Sequence, residues 1–273
     1  MTISHGLRRF PAIGFLGWAI AIGVVSAPHS AKAAESLDLP ARWHVIVSPY
    51  VWTASLKGDA SLAGLNTEVD VPFSDIVNHL DLALMGNVEL TNGVFGVYVD
   101  GQHVSTSQDE QVLGQNVGLK VKTTSVSAGV FLRLYEVELH GQTVSGAPRR
   151  FAIEPTAGVR WTKLQADVRA LGQDVGKSAD WSDPFIGVRL TSDLSARWNL
   201  AAEADLGGFD GANHSINAQA YLGYRTRMLG RPALLRAGYR YLSLDYETTD
   251  FTGGRFRWDV KQQGPALGAS IRF

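Results

Sequence analysis

The chain has 273 residues, of which 19% are charged, a formal net charge of -1 and no cysteine. The charge balance excludes nucleic acid as a partner, and the missing cysteine excludes disulfides even in an oxidising compartment. No segment offers the ~20 consecutive apolar residues of a membrane-crossing helix.

The N-terminus "MTISHGLRRF" carries Arg8 and Arg9, followed by an apolar stretch over residues 13–25 and a small-x-small site at Ala31-Lys32-Ala33. This is the layout of a cleaved secretory signal, with cleavage expected after Ala33. Phe10-Pro11 fits a twin-arginine signal poorly, so export is expected to be of the Sec type. Residues 34–273 then form one domain, with no low-complexity linker.

Past Ala33 the sequence alternates instead of repeating at helical spacing. In "SINAQAYLGYRTR" Ile216, Ala218, Ala220, Leu222 and Tyr224 share a face, and in "WNLAAEADL" Trp198, Leu200, Ala202, Ala204 and Leu206 do the same. Further ribbons cover residues 44–56, 83–90, 94–105, 125–133, 151–164, 184–190, 234–246 and 256–273, ten in all. Eight is the alternative if two weak ribbons are only extended loops. Asn92-Gly93 is a hairpin signal. Long links at residues 58–81, 106–116 and 169–180 mostly alternate with short turns such as "SDLS" and "MLGRP". The fold expected is all-β: a single up-and-down antiparallel transmembrane barrel, with long loops at one end and short turns at the other. Phe256, Trp258 and Val260 lie out of phase with Leu267 to Phe273, and a bulge near Gln263-Gly264-Pro265 is expected to repair the phase.

The polar faces say which way the apolar faces point. Mid-strand they carry Glu89, Asp100, Arg133, Glu154, Arg160, Arg189, Glu203, Asp205, Arg225, Arg236 and Arg240, with no lysine. Arginine forks suit confined carboxylates better than a wet exterior. Gly96, Gly158, Gly187 and Gly223 share that face, as a narrow lumen requires. The aromatics Trp43, Phe95, Tyr135, Phe151, Trp198 and Phe273 gather at the short-turn end. Trp52, Trp161, Trp181, Phe209, Tyr246 and Trp258 gather at the loop end, so two lipid-interface belts are expected.

The signal, the alternating strands and the ending "GASIRF" resemble Gram-negative outer-membrane β-barrels. More narrowly, "SPYVWTASLKGD", "VDVPFSDIVNHLDLALMGNVEL" and "FRWDVKQQGPALGASIRF" resemble a largely uncharacterised proteobacterial group of such barrels. The resemblance implies residence in the outer membrane and contact with its lipids. It also implies a final strand, with Leu267, Ala269, Ile271 and Phe273, that resembles the signal read by the barrel-assembly machinery after delivery by periplasmic chaperones. It implies no activity.

For the lumen two readings stand: side-chain pairs that fill and rigidify it, or a narrow porin-like path for small solutes lined by opposed charges. Arg133, Glu154 and Arg189 are expected in one cluster, and Asp100, Arg160, Glu203, Asp205 and Arg240 in a second layer. A third reading puts function in the surface loops, for interaction or adhesion, over a sealed lumen. His79, His103 and His214 are the candidates for a rim enzyme, but none falls in a catalytic pattern, so no enzyme, cofactor or metal is expected. Ser74 or Asp75 is the expected cap of a short helix covering the barrel mouth or its own hairpin.

Overall fold

The computed structural model describes residues 42–62, 65–112, 115–170, 173–209, 213–249 and 255–273; the expected signal, residues 1–33, lies outside them. Alternation becomes strand after strand. In order come β1 (His44–Trp52), β2 (Ser55–Leu62), β3 (Leu65–Val71), the helix α1 (Phe73–Asn78) and β4 (Leu80–Thr91). Then follow β5 (Phe95–Val112), β6 (Gln115–Leu132), β7 (Tyr135–Gln142), β8 (Pro148–Ala170) and β9 (Gln173–Asp193). The chain finishes with β10 (Trp198–Gly207), β11 (His214–Met228), β12 (Arg231–Thr249) and β13 (Arg255–Arg272).

Hydrogen bonds run in the order β1-β4-β5-β6-β8-β9-β10-β11-β12-β13, and β1 pairs with β13 to close the ring. Ten strands therefore make an antiparallel up-and-down barrel, and eight does not hold. The ring closes on the last residue: the Phe273 amide donates to the Val45 carbonyl at 2.8 Å, and the Val45 amide returns a bond at 3.4 Å.

β2, β3 and β7 extend this ring. β1 and β2 keep one register along β13, from Ile46↔Arg272 to Arg257↔Ser61, and β3 folds back on β2. β6 and β7 both run along β8, with an extra residue between Phe131↔Thr156 and Tyr135↔Ile153. That bulge lets Arg133 turn inward while Tyr135 faces out.

The long links are mostly strand. β5 and β6 stay paired up to Val112↔Gln115, and β8 and β9 up to Ala170↔Gln173. Polar side chains there mark departure from an apolar surround, whereas the ladder needs only paired backbone groups. α1 follows Pro72, whose φ of -67° suits a helix start, and no side chain caps it. The Ser74 hydroxyl donates instead to the Asp75 carboxylate at 3.2 Å. No residue of α1 is buried, so it does not plug the lumen. At Asn92-Gly93 the turn is as expected: Asn92 Oδ1 accepts the amides of Val94 and Phe95, and Gly93 adopts φ +89°.

No bulge interrupts β13, whose register with β12 runs unbroken from Ala233↔Ile271 to Thr249↔Arg255. The phase change is chemical. Trp258, Val260 and Ala266 face inward with Ser270, while Leu267, Ala269, Ile271 and Phe273 face outward. The loop-end aromatic belt is corrected by the same fact. Trp52 and Trp181 are buried inside with Tyr246 and Trp258 packed against them, leaving Trp161 and Phe209 outside.

Outward positions over residues 45–51, 82–90, 95–101, 126–132, 151–161, 184–190, 198–206, 216–224, 235–241 and 265–273 carry no Asp, Glu, Lys or Arg. Leu84, Ile186 and Leu267 are each about 60% exposed there. Outward charge resumes at Lys57, Asp81, Lys122, Lys163, Asp180, Asp245 and Lys261. About ten residues at ~3.3 Å, tilted near 40°, give a band roughly 25 Å tall. A soluble surface does not carry a continuous apolar girdle of that size. The chain is a transmembrane barrel of the outer-membrane type.

Candidate functional site: the barrel lumen

Ladder geometry puts every second side chain into the lumen, where all eleven charged residues singled out from the sequence point inward. They sit on three levels. Nearest the short turns, Arg225 pairs with Asp193, and Arg133 binds Glu154 through Nε and Nη2 at 2.9 and 2.7 Å. Arg133 also reaches Glu136 at 2.8 Å.

Above them Arg189 crosses the barrel to Glu89 at 2.8 Å and stands 4.0 Å from both Glu154 and Glu203. Its guanidinium lies over the rings of Phe131, at 4.1 Å, and Tyr98, at 5.5 Å. Arg236 stacks on Tyr221 at 4.5 Å and donates to Ser270 at 3.0 Å. Glu203 therefore bridges levels instead of belonging to the upper one alone, taking Gln219 at 3.1 Å as well.

At mid-barrel Arg160 donates to Asp205 at 2.8 Å, with side chains only 5% and 1% exposed, and Asn217 fills the second carboxylate oxygen at 2.7 Å. Arg240 and Tyr50 both donate to Asp100 Oδ1, at 3.4 and 3.0 Å. Arg240 also lies between the Tyr50 and Trp52 rings, about 5 Å from each. Above this level rings and aliphatic side chains join buried polar ones: Thr162 stands across the ladder from Trp181, and Gln262 from Leu242. Trp52, Trp181, Tyr221, Leu242, Leu244 and Ala266 form one buried cluster, in which Trp181 stacks on Tyr246 at 4.4 Å. β1 and β9 stand five positions apart in a ring of ten, so Trp52 and Trp181 come from opposite walls.

Glycines make room for the inward rings. A Cβ would come within 2.3 Å of Phe131 at Gly96, 2.7 Å of Tyr98 at Gly129, 2.6 Å of Phe185 at Gly158 and 2.6 Å of Tyr221 at Gly238. The missing Cβ atoms thus give these aromatic side chains room to lie against neighbouring strands.

No protein-family model and no curated protein matches this chain. Among the solved structures similar to it are outer-membrane proteins. The attachment invasion locus protein Ail of Yersinia pestis is 14% identical, at a TM-score of 0.36, over 85% of this chain and 98% of that one. The outer-membrane protease OmpT of Escherichia coli is 8% identical, at 0.49, over 84% and 96%. Neisserial surface protein A is 13% identical, at 0.30, over 84% and 95%. At such values the likeness says nothing about role.

A polar cavity of about 40 Å³ lies among Asp100, Gln102, Glu203, Asn217 and Arg240, enough for a few waters at ~10–15 Å³ each. The histidines are separate from it. His103 bonds Thr124 Oγ1 at 2.8 Å on the outer face, His79 meets the Asp75 carbonyl at 2.8 Å, and His214 is exposed. Among the described residues no group of acids and histidines is arranged to hold a metal. Asp193, Glu136 and Asp183 are inner acids that reading the sequence missed. Both Asp183 and Asp193 share the parity of Arg189; Asp193 is hidden because "SDLS" reads as a turn, and Asp183 stands one residue before the ribbon that begins at Pro184.

Proposed function

We propose that the protein is an integral outer-membrane barrel with a lumen sealed to aqueous solutes, serving as a rigid scaffold for the β-hairpins above the bilayer. The buried cluster joining Trp52 to Trp181 across the barrel carries this reading. A porin-like channel requires a continuous open polar path, whereas these rings stand across the path and the polar side chains beside them, Ser125, Thr162 and Gln262, are themselves buried. Arg189–Glu89 and Arg240–Asp100 also tie opposite walls below them. The paired hairpins β2–β3, β5–β6 and β8–β9 offer a preformed surface for a partner outside the cell, and the scaffold is not catalytic. Sec-type export, assembly through the outward residues Leu267, Ala269, Ile271 and Phe273, and contact with outer-membrane lipids belong to the same proposal.

Planar-bilayer recording on the refolded mature chain tests it, with unheated gel mobility reporting the folded fraction. The expected result is folded protein without steady conductance. A stable conductance proportional to folded protein overturns the sealed lumen. Removing residues 107–120 from the β5–β6 hairpin is expected to leave that behaviour and the fold unchanged.

A further inference from the structure

The barrel wall has a split. The β1–β4 ladder ends at Pro49↔Gly86, although β4 continues to Leu80 against β5 and the β1–β2 strand continues against β13. β3 joins the free edge of β2 only at Leu56↔Val71. Between Tyr50 and Ser55 one strand edge therefore lacks a ladder partner, at the height of the upper apolar band. α1 follows β3 and leads into β4 in the chain.

Backbone groups left unpaired against hydrocarbon cost several kcal/mol each, so irregular backbone is kept at that depth only where protein buries it or it lines a cavity. One of these groups has an unusual partner: the Trp52 amide donates to Met85 Sδ at 3.3 Å. A thioether is a weak acceptor on a flexible side chain, easily displaced. The outer frame is apolar, with Val51 and Leu84 about 60% exposed. Behind it, Met85 and Ala54 lead directly to the Trp52–Trp181 cluster. Inside that cluster the Trp181 indole N–H is buried without a hydrogen-bond partner, in a side chain on a residue only 6% exposed.

We propose that this split is a lateral portal through which an acyl chain of an outer-leaflet lipid enters the upper lumen, its ester carbonyl accepting the Trp181 N–H. Apolar walls on both sides of the gap suit hydrocarbon, and the lone buried donor suits one acceptor oxygen. The charged levels below stop the chain from passing further. The portal is compatible with a lumen sealed to water-soluble solutes, and it does not depend on the hairpins.

The test is photolabelling in vesicles of phosphatidylcholine with a diazirine on one acyl chain, with adducts mapped by mass spectrometry. Expected adducts fall on inward Met85, Trp52 and Trp181 as well as on the outer girdle. Adducts confined to outward residues overturn the proposal. Val51 and Leu84 would face each other if the β1–β4 register continued, and the chain has no cysteine, so Val51→Cys with Leu84→Cys places one disulfide across the gap. Oxidation is expected to suppress inner labelling at least fivefold and reduction to restore it; inner labelling indifferent to oxidation of a formed bridge refutes lateral entry. Trp181→Phe keeps an aromatic ring, though a smaller one, and removes the donor. Loss of one hydrogen bond predicts roughly three- to tenfold less inner labelling by the ester probe. A diazirine alkane without an acceptor should be unaffected, and an equal drop for both probes removes the role of the indole N–H.

Discussion

Truncating Arg160 strands Asp205. Arg160 donates to Asp205 at 2.8 Å and to Ser127 and Ser215 at 3.3 Å, and its guanidinium stands 5.1 Å from the Phe185 ring centroid. In Arg160→Ala the Asp205 carboxylate keeps Asn217 but loses its countercharge while 1% exposed. Breaking a buried pair from one side costs about 3–5 kcal/mol, and the lost cation–π contact adds roughly 0.5–2. A total of about 3.5–7 kcal/mol, at a urea slope of roughly 2 kcal/mol/M, lowers the midpoint by about 2–3.5 M. Asp205→Ala leaves Arg160 stranded and is expected to cost about 3–5 kcal/mol. Arg160→Met combined with Asp205→Leu strands no charge and is expected to cost less than either single change. Urea unfolding in phospholipid vesicles, followed by tryptophan fluorescence and unheated mobility, measures all three. Singles below about 1 kcal/mol, or costs that simply add in the double variant, would mean that lumen water solvates these charges. That result would refute the dry, interlocked interior.

Gly158→Ala sets a Cβ 2.6 Å from Phe185 and 2.2 Å from the Ala128 carbonyl, so a loss of about 1–3 kcal/mol is expected in the same unfolding assay. Gly101→Ala meets nothing within 4 Å and is expected to be neutral or slightly stabilising. Leu267→Arg, on an outward residue 61% exposed, should cost about 2–4 kcal/mol in vesicles if that site faces the bilayer interior. The same change at outward Lys57 should cost nothing measurable. Asp81 lies above the band, where the Ser107 hydroxyl and then Lys120 hold its carboxyl below the ordinary 3.8. Its contribution is full above 3.8 and disappears as pH falls through the lower folded value. NMR titration in micelles should find that lower midpoint, rising toward 3.8 in Ser107→Ala; an unmoved midpoint removes the hydroxyl as the cause.

Much of this architecture is legible in the sequence because lumen charges fix parity. Once Arg189, Glu154 or Asp205 must avoid lipid, every neighbour two residues away follows it inward. The turn at Asn92-Gly93 follows from local chemistry alone. Where strands outrun the bilayer, as in β5–β6, the side chains become polar while the ladder continues. Composition there resembles a loop although the backbone is strand. The links between levels, such as Arg189 to Glu89 over four strands of the ring, require the closed barrel and leave no trace in spacing.

Parity becomes uninformative where both faces are apolar. In β1, Val47 and Val51 alternate with Tyr50 and Trp52, and in β13 the inward Trp258 and Val260 look like lipid-facing residues. An apolar lumen level has no need of a polar stripe, so alternation cannot separate inside from outside there. Only unbroken register along β12 and β1 decides the facing of β13. The ambiguity and the split in the wall share a cause. A level packed with Trp52, Trp181, Leu242 and Val260 needs no water behind the wall, so a gap between β1 and β4 exposes hydrocarbon to hydrocarbon. A gap at the height of Arg189 would expose charge to lipid instead, and there the β1–β4 ladder is continuous from His44↔Thr91 to Pro49↔Gly86.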